Sequence, residues 1–253
     1  EGYVVLGVSG GTTALMFVMA SASTEVVSKL LEYGANVESV DVMGNNAFML
    51  ASAIGRPKNM QYWLETVKDW DVNVQNTVIG GCALGHAVCM GANKLKTVKL
   101  LLDAGVLLDY RSFTGANVLL HAVDNEDLDP QVIRMILEKI KISKNTEEFT
   151  AIVNYRMKAS TFKWKVLNFV LKSLNRIGGV KSGPLYTLSL WPGSTALNFA
   201  VMRGDVEIVK MLLENGADPY IENDLGMNAF DMCERAGPFP SIRRALREHL
   251  EDT

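Results

Sequence analysis

Cysteine is scarce in this chain: Cys82, Cys89 and Cys233 are the only three in 253 residues. An odd trio cannot pair completely and is too sparse for a disulfide framework. That points to a reducing, intracellular compartment, the cytoplasm first, with an organelle still open. Histidine is equally scarce, at His86, His121 and His249. No Ser-His-Asp or Cys-His arrangement can be assembled from so few, so no catalytic residue is assigned. No run of about 18 apolar residues occurs, so no membrane-spanning helix is expected. The stretch Gly7–Gly11, GVSGG, has no Lys-Ser or Lys-Thr after it. It therefore reads as an entry turn rather than a phosphate loop. A basic excess is missing too: 25 Lys and Arg stand against 28 Asp and Glu, a net charge of −3. General nucleic-acid binding wants a basic domain, so that class is disfavoured. The chain opens on Glu1 rather than Met, and reads as a processed or excised piece, or as one whose start is missing.

What the chain does have is a period. Gly193–Pro219 reads GSTALNFAVMRGDVEIVKMLLENGADP, and a second copy from Gly11 reads GTTALMFVMASASTEVVSKLLEYGAN. The leading Gly recurs at Gly11, Gly44, Gly80, Gly115, Gly193 and Gly226, at intervals of 33, 36, 35, 78 and 33. Four residues after each lies an apolar side chain: Leu15, Phe48, Leu84, Leu119, Leu197 and Phe230. A closing Gly-Ala follows at Gly34-Ala35 and Gly216-Ala217, with Ala104-Gly105 shifted by one. A fixed period near 33 residues marks a stacked repeat, in which no helix pair can bury its apolar face alone. Two residues after each leading Gly stands a candidate N-cap: Thr13, Asn46, Cys82, Asn117, Thr195 and Asn228. Five of these accept a backbone N–H well; Cys82 is expected to cap poorly. The Gly that closes the second helix supplies a left-handed stop.

The pattern resembles the ankyrin repeat, with its Gly-x-Thr-Pro-Leu-His opening and Leu-Leu-x-x-Gly-Ala-Asp close. The likeness covers most of residues 10–236, with a gap near 139–190. It implies an all-α fold: an α-solenoid of about six stacked helix-turn-helix repeats with one irregular helical insertion. The expected organisation is repeats one to four over 1–138, an irregular basic helical unit and finger over 139–190, and further repeats with a C-terminal cap over 191–253. The family's usual His is replaced in every copy, by Met16, Met49, Gly85, Leu120, Asn198 and Asp231. Since that His ties neighbouring turns together, a looser array is expected.

The 78-residue interval is the anomaly. Asp129-Pro130 reads as a helix cap followed by Pro at the first position, opening DPQVIRMILEKI. Thr146–Lys158 and Ser160–Asn175 read as further helices, and Gly178-Gly179 and Gly183-Pro184 as turns. A degenerate helical repeat is favoured over an unstructured insertion. Residues 139–181 carry ten Lys or Arg against Glu147 and Glu148. The basic patch Lys163, Lys165, Lys172 and Arg176 lies opposite the apolar residues Phe162, Val166, Leu167, Phe169, Val170, Leu171 and Leu174. Such a block either solvates a helix face or docks an acidic partner.

Two clusters look like metal sites and are set aside. Cys82, His86 and Cys89 are three ligands without the paired spacing zinc favours. Each also has a place in the repeat: cap, core and exposed helix end. Asp124–Asp129 is acidic but lacks the Gly that a calcium loop needs at its sixth position. No cofactor and no metal are expected.

In the family, partners meet the concave face, meaning the fingers beside each leading Gly and the exposed ends of the first helices. The fingers here read Val42-Met43, Val78-Ile79, Phe113-Thr114, Trp191-Pro192 and Asp224-Leu225. They are mostly apolar, and exposed apolar stripes mark contacts. The resemblance therefore suggests a partner-binding set of Met43, Ile79, Phe113 and Trp191 along one groove edge. Ile54, Cys89, Met90, Met202 and Arg203 would form its floor. Phe113 and Trp191 are expected to be tip anchors with little role in stability. The function this implies is a non-catalytic protein–protein interaction scaffold, as an accessory subunit of a larger assembly. The alternative is a regulatory or targeting ankyrin segment of a larger enzyme or channel.

Overall fold

The computed structural model describes residues 10–90, 94–176, 188–237 and 239–251. Lys181, both Gly turns between 178 and 184, and Gly7–Ser9 lie outside the described residues. Among the described residues there is helix, turn and coil but no strand. The chain divides into two compact units, residues 1–106 and 107–253.

The first unit contains three helix pairs: α1 (Ala14–Ser21) with α2 (Thr24–Glu32), α3 (Ala47–Ile54) with α4 (Pro57–Thr66), and α5 (Ala83–Cys89) with α6 (Leu95–Asp103). The first helices stack as α1–α3–α5 and the second helices as α2–α4–α6. Each first helix is apolar nearly all round because it is sandwiched between neighbours; α3 buries Ala47, Phe48, Met49, Ala51, Ser52 and Ala53. Phe48, Trp63 and Trp70 close the middle of the unit as an aromatic triangle, with ring centroids 5.1–6.4 Å apart. Aromatic pairs in this range add to their area burial.

The second unit holds α7 (Val118–Asp124) with α8 (Pro130–Ser143), α9 (Thr146–Val153), α10 (Phe162–Arg176), α11 (Ala196–Arg203) with α12 (Val206–Glu214), and α13 (Ala229–Ala236) with α14 (Pro240–Glu251). Its rows run α7–α11–α13 and α8–α12–α14. Counted with the first unit, this makes six pairs, as the period predicts. The long interval is not a further repeat, however. Helix α11 packs directly on α7, so α9 and α10 leave the stack between one pair and the next. The expected helix over Thr146–Lys158 stops at Val153. Residues 157–160 instead run extended between two fingers: Met157 N–H donates to Ser194 O at 2.9 Å and Ser160 N–H to Phe113 O at 3.2 Å.

Capping follows the sequence closely. Thr13, Asn46, Asn117, Thr195 and Asn228 each accept a backbone N–H at the start of their helix, and the Cys82 side chain makes no such cap. The lost family His has a local substitute in three copies. Asn198 and Asp231 reach back to the N-cap backbone N–H at 2.8 and 3.0 Å, and the Met16 sulfur does so at 3.4 Å. These are reciprocal capping boxes.

Candidate functional site

The fingers are built from short polar side chains that fold the backbone back on itself. In the first unit Asp41 is buried, and its Oδ1 accepts from Met43 N at 2.9 Å and Asn45 N at 2.8 Å. The Asn45 amide donates to Asp41 Oδ2 at 3.2 Å. Asn76 Nδ2 donates to Asn45 Oδ1 at 2.8 Å, so one finger is tied to the next. Asn76 Oδ1 accepts in turn from Ile79 N and Gly81 N. Backbone bonds join the same fingers: Val42 N–H to Gly10 O at 2.9 Å and Thr77 N–H to Met43 O at 3.1 Å. Gly44 has φ of 79°, and a Cβ there would meet Thr77 N at 2.6 Å, so only glycine fits between fingers this close. This ladder ties neighbouring fingers of the first unit, the task that the resemblance assigns to the missing His.

Held this way, the finger tips of the first unit present their apolar side chains outward. Val42 is 68 % exposed, Val78 46 %, and Met43 and Ile79 37 % each. At the first-helix ends Ile54 is half-buried, whereas Cys89 and Met90 are exposed. His86 is buried, with Nδ1 2.9 Å from Cys82 O, and burial holds its pKa below the usual value.

The second unit treats its finger residues differently. Phe113 is half-buried beside the 157–160 segment. Trp191 is half-buried, packs on Phe199 at 5.7 Å, and has its indole Nε1 shut away from solvent. The expectation of a free Trp191 tip is corrected: the ring contributes to packing under α11. Arg203 is corrected too. It is half-buried and donates through Nη1 to the carbonyls of Val123 and Asn125, so it ties α11 to the end of α7. Met202 beside it is half-buried. Asp124, at the end of α7, has its carboxyl pushed up by burial, an effect that Arg203 opposes.

The basic patch is also split. Lys163, Lys165 and Arg176 are exposed, as expected. Lys172 is half-buried and 2.9 Å from Asp224 Oδ2; Arg156 takes the other oxygen, Oδ1, at 3.1 Å. The apolar face of α10 points outward. Leu171 is buried, but Phe162, Val166, Leu167, Phe169 and Val170 are exposed.

Sequence reasoning missed the finger-turn side chains Asp41, Ser112 and Asn223, which share one bond: the backbone N–H of each donates to the carbonyl four residues on. The signal was available, since each lies three residues before a periodic Gly. Asn76 breaks that count, because its partner is Gly81, five residues on; the longer 36-residue interval hints at the extra residue. It also missed Lys94, a buried lysine whose Nζ lies 2.5 Å from Ala53 O. Burial lowers its pKa from 10.5 to about 8.

Among the described residues no group of three His, Cys, Asp or Glu side chains is placed to hold a metal ion, and no helix is long and apolar enough to cross a membrane.

The family model of the ankyrin repeat matches residues 10–42 and 192–224, where the finger, helix pair and left-handed glycine stop described above occur in full. The chain carries ankyrin repeats. Over 211 residues it is 25 % identical to the nuclear factor NF-kappa-B p105 subunit of Gallus gallus, covering 83 % of this chain but only 17 % of that protein. Its fold is that of the ankyrin repeat domain of Bcl-3, at a TM-score of 0.62 and 22 % identity, covering 92 % of this chain and 82 % of the other. A chain from the complex of a Bdellovibrio bacteriovorus predatory endopeptidase with an immunity protein matches at a TM-score of 0.64 and 19 % identity, over 92 % and 98 %. Ankyrin repeats generally mediate protein–protein interaction and are typically non-catalytic.

Proposed function

We propose that this ankyrin-repeat protein is a non-catalytic module that holds a protein partner through the finger tips of its first unit. The observation that carries this reading is the exposed apolar set Val42, Met43, Val78 and Ile79, fixed from below by the buried Asp41–Asn45–Asn76 ladder. A preorganised backbone presenting apolar side chains loses little entropy on binding. Cys89 and Met90 extend the same contact surface, and Met adapts to varied partner shapes. In the second unit the exposed part of Phe113 and of Trp191 is a secondary contact, and an acidic partner meets the basic unit. Nucleic acid is not the partner, and the site of action is a reducing compartment, most simply the cytoplasm. The role is that of an accessory subunit in a stable assembly.

A second reading has its own support. The chain spans less than a fifth of the chicken relative, as a repeat segment within a longer protein would. In that reading the module targets or regulates a larger enzyme or channel. The full reading frame separates the two: further domains on either side favour the second. Cross-linking mass spectrometry in the native source tests the interaction itself. Cross-links from one partner should fall on the first unit, residues 10–106. An absence of intermolecular cross-links at saturating reagent would count against the module as a partner-holding device.

A further inference from the structure

Helix α10 is amphipathic in the wrong sense for a helix of a packed unit. Phe162, Val166, Phe169 and Val170 stand at i, i+4, i+7 and i+8 and so share one face. That face is the outer one, with Phe162 81 % and Phe169 68 % exposed. The inner face carries polar groups instead: Asn175 Nδ2 donates to Ser189 Oγ at 2.6 Å and Lys172 pairs with Asp224. Beside the stripe a recess of about 450 Å³ opens between α10 and the fingers. Phe169 belongs to both the stripe and the recess, and Met157 and Pro192 add apolar wall. Four cations line the recess, Arg156, Lys158, Lys165 and Lys172, against a single carboxylate, Asp224. Asp224 is shared between Arg156 and Lys172, which leaves Lys158 and Lys165 without an ion pair among the described residues. Over residues 139–176 the chain carries nine Lys or Arg and two Glu.

We propose that the outer stripe of α10 and the adjoining recess form a docking surface for an acidic amphipathic segment of a partner protein. Its apolar side chains lie along Phe162, Val166 and Phe169, and its Asp or Glu carboxylates reach Lys158 and Lys165. Exposed apolar side chains rimmed by unpaired cations fit a segment that brings both apolar surface and negative charge. The concavity favours a peptide over an anionic lipid surface, because a bilayer is flat on this scale and meets the ridge of α10 without entering the recess. The proposal rests on the partner-holding reading above and gives its acidic contact a defined surface, other than the finger tips of the first unit.

The test uses the full chain and a labelled synthetic peptide with Leu and Phe on one helical face and Glu on the other. Three companions are a scrambled version, a version with Lys for Glu, and vesicles of phosphatidylcholine with phosphatidylserine. Fluorescence anisotropy should show binding of the acidic amphipathic peptide alone. Val166→Ser with Phe169→Ala, and separately Lys158→Glu with Lys165→Glu, should each weaken it by about tenfold or more. Added salt should weaken the wild type more than the charge-reversed variant. All four positions are exposed, so circular dichroism and melting should stay as in the wild type. Equal binding of the scrambled peptide, affinity indifferent to both double variants, or binding to vesicles without binding to the peptide would overturn the proposal. Self-association lost on Val166→Ser would overturn it as well, in favour of a second copy as occupant. Val42→Asp with Val78→Asp should leave peptide binding unchanged, so failure of the finger reading and failure of this one are told apart.

Discussion

Lys94 makes the packing of the first unit measurable by pH. The side chain is 4 % exposed, donates to Ala53 O at the end of α3, and makes no ion pair among the described residues. Burial disfavours the charged form and brings its pKa from 10.5 to about 8. Between those two values the unfolded chain keeps the proton while the folded chain has released it. Stability therefore rises as pH rises from about 8 to about 10.5, and is flat in this respect below 8. A gap of about 2.5 units corresponds to about 3 kcal/mol. That is a ceiling, because the bond to Ala53 O and the negative end of the α3 dipole both favour the ammonium. Other groups titrate in this window, so the comparison is with Lys94→Met, which keeps the length and removes the charge. Urea unfolding of both proteins at several pH values, followed by far-UV circular dichroism, reads the difference directly. The wild type should gain on the variant by about 1–3 kcal/mol between pH 7.5 and 10.5. A difference that stays constant with pH, or that favours the variant as pH rises, would refute the account of Lys94 as a desolvated cation.

Other outcomes follow from particular contacts. Asn46→Ala should cost about 1 kcal/mol, whereas Cys82→Thr should add up to about 1 kcal/mol, because the first removes a working cap and the second supplies one; thermal melts of both check the sign. Trp191→Ala should cost about 2 kcal/mol or more in urea unfolding, since it leaves a void against Phe199, while Val42→Ala at an exposed tip should cost under about 0.5 kcal/mol. Asp224→Asn should cost about 1 kcal/mol or less, as its pairs are partly exposed. Combining it with Lys172→Met should cost less than the two changes summed, and a double-mutant cycle that proves additive would mean the pair is not coupled.

The fold was legible because its signals are local. A cap, an apolar residue two positions on and a glycine stop each act within one helix pair, and they recur often enough to fix the period. The excursion was read only in part. Its helices were visible in the apolar spacing, but the direct packing of α11 on α7 is a contact between residues some 75 positions apart and leaves no local mark. Which way α10 faces was not legible either. An apolar face normally turns inward, and nothing in Phe162–Arg176 itself says that Asn168, Asn175 and Lys172 face the unit instead. Among the finger residues, the apolar type was readable but the exposure was not. Val42 and Trp191 occupy equivalent places, two residues before a periodic Gly, yet one is a tip and the other half-covered, because a large ring finds Phe199 beneath it. Lys94 carried no signal at all, since a lysine near the start of a helix is ordinarily solvated.

The most direct test of the central claim is a single pair of substitutions, Val42→Asp with Val78→Asp, measured for both folding and partner capture by quantitative cross-linking in the native source. The account predicts an unchanged helical spectrum and melting temperature together with loss of the cross-linked partner by about tenfold or more. Undiminished cross-linking in a folded variant would contradict it.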